Sequence, residues 1–307
     1  MGLDLFDAPL RITWTLKDAA PLSESELGRI AESLVEGGIF FVTLGGDAWR
    51  HPGLETLIRQ LDGGSVQVTL VVPLCRAGFS VLNPDLPLTR LLLDIGAVVD
   101  EEGWQNAEVV DAVKNFRKLG YYPELQLLPI RGRLEQLPRL FQVAGEVGVA
   151  GVKLPNFPLV DRPDLASRVL EADDLESFRP LAPTCRRSST DLKLEVHDLF
   201  LWELLCPEAP REHYSGCQAG NGLAHISAEG DLYPCSSWQL RIGSLLEQPL
   251  ADLWQSQART AVCSEIGTTP RDCRDCHAYE ICFGGCRGLA RCLGTSESRD
   301  PLCKEPR

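Results

Sequence analysis

The spacing of the cysteines in the last third of the chain limits its fold more than any other feature. Cys273-x₂-Cys276-x₅-Cys282-x₃-Cys286 places four thiols within fourteen residues, and Cys217-x₁₂-Gly230-x₄-Cys235 together with Cys303 brings the set to seven. A Cys-x-x-Cys pair puts two sulfurs on one side of a tight turn, an arrangement that suits a metal. Four thiolates can close a structural zinc tetrahedron. Seven exceed what one zinc needs, and Gly284-Gly285 between Cys282 and Cys286 leaves backbone N–H groups free to approach inorganic sulfide. On spacing alone iron–sulfur and zinc both stay open, with a disulfide framework as a third alternative.

Composition narrows the setting. A chain of 307 residues that is 44% hydrophobic has room for one large α/β domain and a small appended module. The start, Met1-Gly2-Leu3-Asp4, is acidic and leads into no apolar signal segment, and no apolar run approaches membrane-spanning length. A cytoplasmic protein is expected, in which twelve cysteines argue for metal rather than disulfides. The net charge of −13 argues against a nucleic-acid partner, whose phosphates need a basic face.

Ahead of the thiols, strand and helix patterns alternate. Residues 9–16 alternate apolar and polar and predict a strand. Ser23-x-x-Glu26 is a capping box, followed by Leu27, Ile30, Ala31 and Leu34 at helical spacing and by Gly37-Gly38 as a stop. The continuous apolar run over 39–44 predicts a strand buried on both faces, as in a parallel sheet. Further expectations are a helix over 52–61, a strand over 66–74, a helix over 88–95 and a short strand over 97–99. A helix over 107–119, a strand over 122–130, a helix over 134–147 and a strand over 149–154 follow. A last helix over 165–178 precedes a strand that begins near 191. Six strand–helix units predict a parallel sheet, either doubly wound or a full or partial barrel; periodicity does not choose. Asp100-Glu101-Glu102 is a minor candidate for acid–base or metal chemistry. The histidines form no H-x-x-H pattern, and no Walker, Rossmann or G-x-S-x-G motif occurs.

The thiol pattern, with Gly230-Asp231-Leu232-Tyr233-Pro234-Cys235, Ile242-Gly243-Ser244-Leu245, Leu250-Ala251-Asp252-Leu253-Trp254 and Cys282-Phe283-Gly284-Gly285-Cys286, resembles the SPASM domain. That domain is the C-terminal auxiliary-cluster module of radical S-adenosylmethionine (SAM) enzymes that modify peptides. The resemblance implies interleaved ligands for two [4Fe–4S] auxiliary clusters. Cys217, Cys235 and Cys286 would hold the first, and Cys273, Cys276, Cys282 and Cys303 the second. The first is one cysteine short, and Cys206, Cys263 or Cys292 could complete it; otherwise one iron is open.

The same resemblance implies a partial (β/α)₆ TIM-like barrel of radical SAM type over 8–190, a bridge over 191–205 and the SPASM domain over 206–307. In the family, the loop after the first strand carries C-x₃-C-x₂-C. Here Lys17-Asp18-Ala19-Ala20-Pro21-Leu22 holds no cysteine, and none precedes Cys75. Gly45-Gly46-Asp47-Ala48 stands in place of the family's Gly-Gly-Glu-Pro, whose backbone receives the SAM amino group. SAM is therefore not expected, and neither is radical SAM catalysis by this chain.

The pattern looks like the SPASM-domain protein of the GeoRSP system. The expected function is a non-catalytic iron–sulfur partner, passing electrons or presenting substrate in peptide modification. A radical SAM/SPASM enzyme, a PqqD-like peptide chaperone and a ribosomal peptide would be its partners. The alternatives are a stand-alone enzyme using an open-site auxiliary [4Fe–4S] cluster and a zinc-stabilised peptide-binding module.

Overall fold

The computed structural model describes residues 5–19, 22–74, 82–99, 106–188, 192–208 and 214–304. Asp100-Glu101-Glu102 and Cys75 lie outside the described residues.

The expected alternation folds as a run of parallel strands. These are β1 (Arg11–Leu16), β2 (Phe41–Gly46), β3 (Gln67–Pro73), β4 (Arg90–Asp94), β5 (Glu124–Gln126), β6 (Gly151–Leu154) and β7 (Lys193–Val196). They lie side by side in chain order, each parallel to the next. A doubly wound sheet reverses its strand order at a switch point, and this one does not. Winding in one direction is the barrel pattern, so the order settles what periodicity left open. The sheet ends at β7 without closing back on β1, which makes the barrel partial.

The intervening helices are α1 (Glu24–Glu36), α2 (Leu54–Gly63), α3 (Gly96–Val99), α4 (Asn106–Lys118), α5 (Leu137–Val147), α6 (Ala172–Phe178) and α7 (Ala182–Ser188). Helix α1 starts as its sequence dictates. The Ser23 side chain accepts the Glu26 N–H, and the Glu26 carboxylate accepts the Ser23 N–H. Its Leu27, Ile30 and Leu34 are buried against the sheet face that carries Ile12, Trp14 and Leu16, all at 2% exposure or less.

The opposite, concave face is polar. Strand alternation puts Thr13 beside Thr43, Thr69 and Arg90 in register, each on the face away from the helices. Arg90 binds Glu124 at 2.6 Å and Glu195 at 3.0 Å, and Lys153 binds Glu195 at 2.8 Å. Four charges therefore bridge β4 to β7 across the hollow.

Residues 88–99 fold opposite to expectation. The segment read as a helix contains β4, and the segment read as a strand is the single turn α3. A short apolar run such as Leu91-Leu92-Leu93 suits either structure. The open edge of β3 decides: Leu91 and Leu93 point to the helices, while Arg90 and Asp94 point to the hollow. The Asp94 carboxylate then accepts the Gly96 N–H at 2.8 Å and starts α3. The helix expected over 165–178 is a 3₁₀ turn, Pro163–Arg168, followed by α6, with the chain extended at Val169 between them.

The cysteine-rich segment is sewn onto the barrel. After α8 (Leu199–Leu205), strand β8 (Leu223–Ile226) pairs parallel to β1, and β9 (Asp231–Tyr233) and β10 (Gly243–Ser244) continue antiparallel. Helices α9 (Leu250–Trp254), α10 (Gln257–Ile266), α11 (Tyr279–Cys282) and α12 (Arg287–Leu293) complete it. The Leu250 N–H donates to Ser33 Oγ at 2.7 Å, locking α9 onto α1. Arg259 stacks on the Trp254 ring at 4.9 Å and donates to the Gly220 carbonyl at 2.7 Å.

Candidate functional site

The seven thiols separate into two cavities. Cys217, Cys235 and Cys286 line one of about 240 Å³, together with Asn156, His197, Tyr214, Gln218 and Leu223. Cys273, Cys276, Cys282 and Cys303 line the other, of only about 10 Å³, with Phe200, Tyr279 and Asp300.

Local structure explains the first cavity. Cys217 precedes the tight turn that leads into β8, Cys235 follows β9, and Cys286 caps α12. Backbone N–H groups reach the sulfurs: those of Ala219, Arg287 and Gly288 for Cys217, Ser237 and Trp238 for Cys235, and Leu289 for Cys286. Such donors stabilise a thiolate or a metal-bound sulfur. A Cβ at Gly288 would stand 3.1 Å from Cys235 Sγ, a tight contact that glycine avoids. Burial nevertheless pushes all three thiols up, with Cys217 adding at Cys235 and at Cys286; Cys235 reaches about 12. These sulfurs hold their protons until a cation replaces them. Burial also raises the Tyr214 phenol, with Cys217 and Cys286 adding, so it stays protonated.

In the second cavity burial, then Cys282 and Cys303, pushes Cys273 up to about 11. Asp300 stands between the cavities at 1% exposure. It accepts the Cys286 N–H and, at 2.8 Å, the Leu302 N–H. Burial raises its carboxyl, with Asp198 adding. Arg287 is 2% exposed and donates to the carbonyls of Thr268, Glu265 and Ser296. Its charge acts on both Cys217 and Cys273, and so offsets negative charge in both cavities.

Three other cysteines were candidates to complete the first set, and none lines its cavity. Cys263 Sγ lies 3.3 Å from the Gly220 carbonyl and Cys292 Sγ 2.6 Å from that of Ser237, while Cys206 follows α8. Among the described residues no three Cys, His, Asp or Glu side chains converge as they would on a single metal ion. The thiols line hollows rather than meeting at a point, so the expected assignment of two [4Fe–4S] clusters is not supported among the described residues.

At the mouth of the barrel, Lys17 pairs with Glu229 at 2.8 Å. Gly46, at φ +67°, makes the strand-end turn, and a Cβ there would lie 2.5 Å from the Leu16 carbonyl.

Several polar groups on the concave side carried no signal in the sequence. His225 Nδ1 lies 2.8 Å from Thr13 Oγ1, and its Nε2 lies 2.8 Å from Asp161 Oδ2, which also accepts from Thr15 at 2.7 Å. His197 is exposed and lines the first cavity. The protein atoms packed around it, and then the Lys153 charge, lower its imidazole. For Glu195, burial alone would raise the carboxyl, but Lys153 and Arg90 outweigh it and hold it down to about 2. A folded-state value below the unfolded one stabilises the fold above the unfolded value and is lost as pH falls through the folded one. Urea denaturation from about pH 5 down to about pH 2 is expected to show a loss of stability that is smaller in Glu195→Gln.

A protein-family model described as an iron-sulfur cluster-binding domain, SPASM, matches residues 217–277. A PqqA peptide cyclase from Xanthomonas euvesicatoria is 29% identical over 117 residues, 36% of this chain and 32% of the relative. Another from Bradyrhizobium diazoefficiens is 24% identical over 306 residues, 92% of this chain and 78% of the relative. For the first relative and for a third PqqA peptide cyclase, from Granulibacter bethesdensis, the chain spans only 32% and 52% of their lengths. Streptococcus suis SuiB superposes with a TM-score of 0.73 at 16% identity, covering 98% of this chain and 77% of SuiB, in a structure bound to its precursor peptide SuiA. A second SuiB structure is bound to S-adenosylmethionine.

These findings correct three expectations. A non-catalytic companion was expected, yet the three sequence relatives are named as peptide cyclases. The chain was likewise expected not to be an enzyme of this type. SAM was not expected beside two [4Fe–4S] clusters, yet SuiB, of the same fold, is bound to it. The physical reason is one of scale: the missing thiols concern one loop, whereas the fold superposes over 98% of this chain. No helix among the described residues is long and apolar enough to cross a membrane. The chain carries a SPASM domain on a partial α/β barrel and is related in fold to the radical SAM enzymes.

Proposed function

We propose that this protein is itself an enzyme of peptide modification, with iron–sulfur held by its cysteines and chemistry seated at the cavity of Cys217, Cys235 and Cys286. The observation that carries this is the asymmetry of the two cavities. Four thiols surround a space with room for about one water, whereas three line a hollow of about 240 Å³. The residues fit an iron–sulfur group: sulfur donors in two sets, N–H groups aimed at the sulfurs, and a buried arginine whose bonds to protein are to carbonyls. Held by three thiolates, such a group offers one open iron as a Lewis acid or as a site for a substrate thiol.

The chain's own residues supply the rest. The polar hollow of the barrel, with Thr13, Thr43 and Thr69 in one row, offers hydrogen bonds to an extended peptide. Asn156, Gln218 and His197 place polar groups at the cavity wall where a side chain would enter. The division into a barrel over 8–190, a bridge over 191–205 and a cysteine module over 206–307 belongs to this proposal, as do a ribosomal precursor peptide, a PqqD-like chaperone delivering it and a GeoRSP-type setting.

The residues do not fit the family's SAM-cleaving cluster, since the loop after β1 has no cysteine, and no step is derived through it. SAM is therefore a variable in the test. The chain is purified anaerobically, counted for iron, sulfide and zinc, and incubated with reductant and precursor peptide, with and without SAM. Bound iron and sulfide and a mass change in the peptide are expected without any second enzyme. A colourless zinc-loaded protein, or turnover only when another enzyme is added, overturns the proposal.

A further inference from the structure

His197 follows β7, and its backbone N–H is held by the Leu154 carbonyl at 2.9 Å. Its position at the ends of β6 and β7 is thus set by the sheet rather than by a free loop. His197 is exposed and lines the cavity of Cys217, Cys235 and Cys286, and among the described residues none hydrogen-bonds to its ring. The other polar groups of that wall are engaged or unsuited. Asn156 Oδ1 accepts from Ser237 Oγ at 2.8 Å and from the Phe157 N–H at 2.9 Å. Gln218 Oε1 accepts from Asn221, and its amide donates to Ser215. Tyr214 is a protonated phenol. The three spare cysteines lie off the cavity. The neutral imidazole is left as the unengaged donor on the wall, and imidazole is a good ligand for iron.

We infer that His197 is the protein ligand at the fourth position of an iron–sulfur centre held by Cys217, Cys235 and Cys286. The inference rests on the functional reading above, and it replaces an open iron in the resting protein with a nitrogen-ligated one. Lys153 and Glu195 both act on the ring, which couples the charge network of the concave face to that centre.

The test is pulsed EPR of the iron- and sulfide-reconstituted, reduced protein, prepared with natural-abundance and with ¹⁵N-labelled histidine. A nitrogen coupling of a directly bound imidazole is expected, altered by the label and lost in His197→Ala with iron and sulfide retained. His197→Cys is expected to lose the coupling and to lower the midpoint potential, since a thiolate replaces a neutral ring. His225→Gln is expected to keep the coupling. A loaded protein with no histidine coupling, or one whose coupling survives His197→Ala, overturns the inference alone. A protein that takes up no iron overturns the functional reading with it. The labelled wild-type spectrum decides even where a variant does not fold.

Discussion

Cys286→Ser is expected to lower bound iron and sulfide and to cut peptide turnover by more than about 100-fold, since loss of supporting contacts alone costs a metal site 10–100-fold. Cys263→Ser and Cys292→Ser are expected to retain both. Cys286 feels the charges of both Cys217 and Cys235, and its N–H donates to Asp300 between the two cavities. A serine hydroxyl fills the same space but does not replace a soft thiolate at iron. Iron and sulfide analysis of the three variants, beside a mass-spectrometric turnover assay, checks this. Wild-type iron in Cys286→Ser would place the centre elsewhere.

Gly285→Ala is expected to destabilise the fold by roughly 2–4 kcal/mol, combining a left-handed backbone with overpacking. Gly285 stands at φ +67°, and a Cβ there would overlap the Asp300 side chain. Relief of that overlap would push Asp300 off the Cys286 and Leu302 N–H groups, leaving buried polar atoms without partners. Chemical denaturation of the metal-free protein measures the cost, and a midpoint equal to that of the wild type would show that Asp300 yields freely. Gly284-Gly285 was singled out as room for N–H groups near sulfide; the structure adds a carboxylate packed against it.

Much of the fold is legible locally. The capping box at Ser23, the glycine stop after α1 and the double-faced apolar run of β2 all fold as their patterns imply. Residues 88–99 do not, because three consecutive leucines fit a helix and a strand equally well and the edge of β3 makes the choice. Within the site, the sequence motifs identified every thiol that lines the two cavities. They did not reveal His197, His225 or the Arg90–Glu195 network, because isolated charged residues in strands resemble solvated surface until the opposite wall is known. The loop after β1 holds no cysteine, yet a relative named as a peptide cyclase matches 92% of the chain.

The sequence by itself determined what is local: which segments alternate, where helices start and stop, and which cysteines are spaced for metal. Tertiary structure decided what depends on distant segments meeting: strand order, the partition of thiols between a closed and an open cavity, and the histidine at the open one. The reason is range. Spacing along the chain sets geometry over a few residues, whereas Cys217 and Cys286, or Thr13 and His225, are brought together only when β8 pairs with β1.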